Sequence, residues 1–409
     1  MTATTLVPGP YPPGLNPPWT EAGHADPVPW FVAMASERPL SYDEQSGSWH
    51  FCGHAEVQDF LRSCDLWSTA KRLELVPPEH RVVRLLTSEP PLHAEIRKHF
   101  AHAYRPKRIA TLEAHVRQVC RDLLDDCLDK GTFDVIADLA APLTATMIAE
   151  LLGVPSEAND MLRRVFDDRG PLGRLTQADA TDKPALYMGG SAPEEDAALQ
   201  ELFKDLIAQR RREPRGDLIS DLAALPAEEF EMRLDVGALL FEQLGAGQNT
   251  TTHLLGSFAY LLDRFPEQHR VLRERPDLIR SAIEETVRYS SPLQARPRVT
   301  TRAVETGGVS IPEGATGLAW LQAANFDPRQ FDDPTRYDVA RSPNRHVAFG
   351  FGEHYCLGAH LARMEARVVM EELLSRTQWF SRSEDTAVTW VDDFILRGPS
   401  RMQIEIVPA

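Results

Sequence analysis

Phe349-Gly350-Phe351-Gly352-Glu353-His354-Tyr355-Cys356-Leu357-Gly358 sets one cysteine just ahead of a helix and packs glycine around it. The run that follows has apolar residues at helical spacing, among them Leu357, Leu361, Met364, Val368 and Leu373, so Cys356 falls at a helix N-terminus. The positive end of a helix dipole and its free N–H groups lower a thiol pKa and aim donors at sulfur, as a metal-bound thiolate requires. Gly350, Gly352 and Gly358 let the backbone turn tightly and let something flat approach. Taken alone, a cysteine before a helix is more often a small buried residue than a ligand.

The chain has 409 residues, 43% of them hydrophobic and 25% charged, an ordinary globular composition with apolar mass for a substantial core. That length allows two or three domains or one large core. A formal net charge of −16 argues against a nucleic-acid binder or a protein drawn to anionic lipid. The cysteines at 52, 64, 120, 127 and 356 form no CxxC pair and no even framework, so neither a disulfide scaffold nor a cysteine-rich zinc site is expected. Met1 to Trp19 is Pro-rich, without the pattern of a signal peptide or an anchor. A soluble, cytoplasmic protein is the expectation, with a Pro-rich arm over 1–29 and a single domain over 30–409.

Further along, Pro90-Pro91-Leu92-His93 opens a helix that sets His93 and Arg97 one turn apart, able to hold one anion together. An isolated pair of this kind is more often a solvated basic face. Met232 to Phe265 is the longest apolar helical pattern, apolar on nearly every face, and should run through the core. Its middle, Leu244-Gly245-Ala246-Gly247-Gln248-Asn249-Thr250-Thr251-Thr252, is weak: Gly costs about 0.8–1.0 kcal/mol relative to Ala, and Thr hydroxyls bond back to carbonyls and bend the axis. Close helix packing accounts for such a stretch as readily as a binding groove does. From Gly170 to Ala197 the periodicity dissolves into what reads as a mobile connection.

Phe349, Gly350, Gly352, His354, Cys356 and Gly358 together resemble the cysteine-ligand loop of the cytochrome P-450 superfamily, the haem-thiolate monooxygenases. The resemblance runs from about residue 38 to the C-terminus, with the motifs in the family's order. It implies a mainly α, single triangular fold with small β-sheets, and a b-type haem (iron protoporphyrin IX) between the long central helix and the cysteine loop. Cys356 would be the axial ligand and the metal site. His93, Arg97, Arg298 and His354 would reach the propionates, with Arg296 competing for the role of Arg298. Ala246 and Gly247 would lie against the haem face, and Thr250, aided by Gln248, Asn249 and Thr251, would bring protons to the oxygen being reduced. Glu285, Arg288 and Arg336 resemble the family's structural network. Pocket residues would be Val83, Leu86, Leu240, Leu244, Leu293, Gln294, Ile395 and Leu396, with a lid over Gly170 to Ala197.

Two departures stand out: Glu89 where aspartate is commoner, and Asn249 where the family normally has an acid. The implied function inserts one oxygen atom of O2 into a largely hydrophobic small molecule, by hydroxylation or epoxidation, in the manner of secondary metabolism. Electrons would come from NAD(P)H through ferredoxin reductase and ferredoxin, which a cluster of Arg97, Lys98, Arg105, Lys107 and Arg108 would attract unless it is only a solvated helix face. A monomer without nucleic-acid or membrane partners is expected. Asn249 keeps open an atypical haem-thiolate chemistry such as coupling, dehydrogenation or a peroxide-driven reaction. From another class, a non-catalytic haem protein that senses or carries a ligand is the alternative. A zinc site on His354 and Cys356 falls short of a closed ligand set.

Overall fold

The computed structural model describes residues 14–75, 81, 83–158, 193–225, 236–393 and 395–409. Phe394 and most of the expected lid, up to residue 192, lie outside them. The hairpin forms around Ser46-Gly47: Leu40–Asp43 pairs antiparallel with Ser48–Phe51, and the Asp43 carboxylate accepts from the Gln45 and Ser46 amides to close the turn. Ser48–Phe51 then runs parallel to Thr316–Trp320, whose other neighbour is the antiparallel strand Ala295–Thr300, and Trp67–Ser68 completes a five-stranded sheet. Side chains alternate along a strand, so Arg296 and Arg298 leave Ala295–Thr300 on one face.

Helices carry most of the described chain. The long apolar pattern is the helix Val236–Arg264, with 232–235 outside the described residues. It lies against Ala141–Leu152, and its small residues mark the contact. A Cβ on Gly247 would sit 2.6 Å from Ile148, and one on Gly256 2.5 Å from Ile136. The Thr252 and Thr144 hydroxyls meet at 2.7 Å. Close packing therefore explains part of the weak stretch. Val135–Leu152 is long and apolar enough to cross a membrane, yet it is 67% buried against the rest of the chain and serves as core.

No boundary falls at residue 29. Val28–Glu37 is one helix across it, and Trp19 packs its ring on Trp30 and Trp320 at 5.6 and 5.7 Å. Burial of large aromatic surface draws the described part of the arm into the core.

Glu285 and Arg288, on the helix Ile279–Tyr289, are fully buried and joined by two hydrogen bonds of 2.7 and 2.8 Å. Arg288 also donates to the carbonyls of Asn325, Pro334 and Arg336. The third charged partner is Arg341 rather than Arg336: Arg341 Nε donates to Glu285 Oε1 at 3.1 Å. The Arg336 carbonyl points inward, accepting from Arg288 and Arg341, so its side chain turns out to solvent, 63% exposed and 3.7 Å from Asp338.

Candidate active site

A cavity opens between the helix Val236–Arg264 and the cysteine loop. Together with the open solvent at its mouth, it holds about 1740 Å³ of empty space. Gly350 and Gly352 take left-handed backbone angles, φ 77° and 73°, and the Cys356 amide donates to the Phe349 carbonyl at 2.8 Å. Gly358 caps the helix Ala359–Arg376. Arg363 braces the loop from that helix: its guanidinium lies 4.2 Å from the Phe349 ring centroid and donates to both Glu284 oxygens at 2.7 and 2.8 Å.

The depressed thiol pKa expected of Cys356 is not what the chain alone supplies. Burial pushes the thiol up, and the Gly358 N–H with the charges of Arg296, Arg363 and Arg97 only opposes this. Desolvation outweighs the helix terminus, so a bound cation is what would make the sulfur a thiolate.

Beside the thiol stands a cationic edge. His93, Arg97, Arg296, Arg298 and His354 all line the cavity, and Glu242 is the single carboxyl among its described lining residues. Arg97 donates to the Tyr355 carbonyl at 2.7 Å, and Arg298 to the Phe60 and Leu61 carbonyls at 3.0 Å each. His93 Nε2 is buried without a partner. Burial, together with the neighbouring charges of His354 and Arg97, lowers the pKa of His93 to about 4. Glu89 takes up its place by accepting from the Thr69 amide at 2.6 Å and lying 3.4 Å from His354 Nε2. An orphaned imidazole nitrogen and a surplus of donors match a group bearing two carboxylates. The wall thiol suits its metal. At Gly358 an added Cβ would meet only a Tyr104 ring carbon, 3.9 Å away, so the backbone is open to a flat face. These residues fit a haem.

On the long helix, Ala246, Gly247, Thr250 and Thr251 reach the wall, and the Thr250 hydroxyl donates to the Ala246 carbonyl at 2.7 Å. Gln248, buried, and Asn249, half-buried, lie off it. Phe349, Gly350, Leu86, Leu293 and Leu396 also line the cavity. Leu240 and Leu244, expected there, are buried in the core instead, because two residues back from 242 and 246 is roughly the opposite side of a 3.6-residue turn. Ile395 packs with Trp30 and Phe326, one step along the chain from Leu396, which bridges to Leu293. The Gln294 amide binds the Ile395 carbonyl at 2.6 Å, and Val83 is half-buried; neither lines the cavity.

Sequence reasoning missed Arg84, Tyr104, Glu242 and Gln243, all of which line it. Glu242 lies one turn before Ala246, so helical spacing alone could have found it. Its two oxygens accept from the Leu85 and Leu86 amides at 2.9 and 3.0 Å, while burial raises its pKa to about 7. The Tyr104 hydroxyl donates to Gln243 Oε1 at 3.1 Å.

The family model described as cytochrome P450 matches residues 195–406. Cytochrome P450 109 of Bacillus spizizenii is 31% identical over 93% of this chain and 92% of its own length. Erythromycin C-12 hydroxylase of Saccharopolyspora erythraea is 35% identical over 85% of this chain and 86% of its own. Among solved structures, CYP109E1 of Bacillus megaterium, determined with testosterone, superposes with a TM-score of 0.84 at 27% identity, covering 94% of this chain and 99% of that one. With a helical fold, a cysteine loop and a cavity lined by a thiol and a cationic edge, the chain belongs to the cytochrome P450 family and is a haem-thiolate monooxygenase of the bacterial type.

Proposed function

We propose that this monooxygenase hydroxylates or epoxidises a largely hydrophobic small molecule of secondary metabolism in the cytoplasm, using electrons passed from NAD(P)H through ferredoxin. The observation that carries the reading is the single cavity wall that holds Cys356, the cationic edge and the Thr250 hydroxyl together. The erythromycin hydroxylase among its relatives supports the substrate class. Bound haem supplies reductive activation of dioxygen, favoured by electron density from a thiolate ligand.

Cys356 would hold the iron, and His93, Arg97, Arg298 and His354 the two propionates. Leu86, Leu254, Val287, Leu293 and Leu396 form an apolar wall that excludes water and seats the substrate. Thr250 Oγ1 donates to Ala246 and still has lone pairs that accept from a water, so it can hold a proton donor at the wall. Asn249, an amide, takes no part in titration near neutral pH.

Reduced protein under carbon monoxide should show the red-shifted band of a thiolate-ligated haem, and Cys356→His should abolish it. A wild-type band typical of imidazole ligation would overturn the reading. Turnover with reductant and oxygen, against turnover with peroxide alone, separates the monooxygenase from a peroxide-driven enzyme.

A further inference from the structure

The donors that face the cavity outnumber the carboxylates of the cofactor. If His93, Arg97, Arg298 and His354 hold the propionates, Arg84 and Arg296 are left on the wall with no such duty. The Arg296 side chain makes no hydrogen bond or ion pair among the described residues, and Arg84 Nε is buried without a partner. Burial lowers the pKa of Arg296 to about 10, opposed by the charges of Cys356 and Glu242 and reinforced by that of Arg298. Arg72, itself buried, is repelled by Arg296 in turn. Among the described lining residues the one acid is Glu242; its charge acts on both arginines, but its two oxygens are taken up by the Leu85 and Leu86 amides and it forms no ion pair with either. A cation drawn half out of water without a direct partner favours an anionic ligand. Two such half-buried guanidiniums, on a wall that also carries Leu86, Leu293 and Leu396, make a built site for an anion.

The geometry points to a substrate that carries a carboxylate, received by Arg84 and Arg296 while its apolar body lies along Leu86, Leu293 and Leu396. Arg296 comes from a rigid central strand and Arg84 from the segment that Glu242 straps to the long helix, so the two are fixed from opposite sides of the sequence. A planar guanidinium takes a carboxylate through two parallel N–H bonds, which gives direction as well as affinity. Anchored at that end, a long substrate would present a carbon set by its length, so the anchor would govern which position is oxidised. This rests on the haem-thiolate reading of the cavity.

The test uses the haem-loaded enzyme at pH 8. A panel of alkyl and aryl carboxylic acids, each with its methyl ester and matching primary amine, is titrated by the low- to high-spin shift of the haem and by calorimetry. Acids should bind about tenfold more tightly than their esters. Arg84→Gln and Arg296→Gln should each remove most of that preference, leave the ester affinities within about twofold, and retain full haem content. A panel in which no acid outbinds its ester, or in which amines bind best, overturns the inference. So does an Arg296→Gln protein that sheds haem while the acid preference survives, since that arginine would then serve the cofactor. The carbon monoxide band is recorded on every sample: a thiolate band without acid preference defeats this inference alone, whereas its absence in the wild type defeats the parent reading.

Discussion

An amide at position 249 cannot release a proton near neutral pH, and in this structure it also stands off the cavity wall that Thr250 occupies. Protons must then reach the wall through water held by Thr250 and Thr251, or from a polar group of the substrate. Slow supply favours release of peroxide over productive use of oxygen. Wild type should turn over simple apolar substrates with poor coupling, and Asn249→Asp should raise the ratio of product to reductant consumed severalfold. Full coupling in the wild type, lowered by Asn249→Asp, would show that the missing acid is no handicap. The buried network makes a second single-residue comparison. Arg341 is 11% exposed and bonded to Glu285, so Arg341→Ala leaves a buried acceptor short of one partner and should cost about 1–3 kcal/mol in denaturant unfolding. Arg336→Ala removes only an exposed side chain and should stay within about 0.5 kcal/mol. The reverse ranking would restore Arg336 to the network.

Between residue and molecule, the cysteine loop depends on the helix behind it. Burial pushes the Glu284 carboxyl up, but hydrogen bonds and charge from Arg363 and His346 outweigh it and hold the pKa at about 2. A carboxylate depressed in this way stabilises the fold fully above its ordinary value near 4.5 and loses that contribution as pH falls towards 2. Glu284→Gln should therefore lower the thermal midpoint at pH 6–8, through a loss of stability on the order of 2–3 kcal/mol at most. The gap to wild type should narrow below about pH 4.5, and the haem of the variant should exchange faster. A gap that widens in acid would exclude this brace. Such elements were legible to different degrees. Periodicity located the helices Val236–Arg264 and Ala359–Arg376, and local turn chemistry located the hairpin at Ser46-Gly47. Which face of the long helix meets the cavity was not legible, since a helix apolar on all sides gives no phase. Leu240 and Leu244 were placed wrongly, and Glu242 was missed. Arg336 and Arg341 differ only in which way a turn points them, and the balance of burial against helix dipole at Cys356 depends on packing that sequence does not record.

At the scale of the molecule, charge is divided unevenly. The chain carries a formal net charge of −16, yet Lys98, on the helix Leu92–Ala101 that bears His93 and Arg97, and Arg105 and Lys107, at the start of the next helix, are all exposed. The other two members of the cluster are already engaged, Arg97 with the Tyr355 carbonyl and Arg108 with the Gly216 carbonyl and Asp221. Tyr355, 40% exposed beside Cys356, links this basic face to the cysteine loop. An acidic ferredoxin approaching a chain of like net charge is repelled at long range and attracted only where this patch dominates, so encounter should be confined to the cysteine side. Two consequences separate docking from a merely solvated face. The rate of ferredoxin-supported reduction should fall as salt rises from about 0.05 to 0.5 M, because the Debye length then shrinks to a few ångströms. Lys98→Glu with Arg105→Glu should cut that rate at low salt by about tenfold and flatten its salt dependence, while reduction by dithionite and the carbon monoxide band stay unchanged. If the double reversal leaves ferredoxin-supported reduction as it was, electrons enter elsewhere, and Lys98, Arg105 and Lys107 serve only to keep the helix face in water.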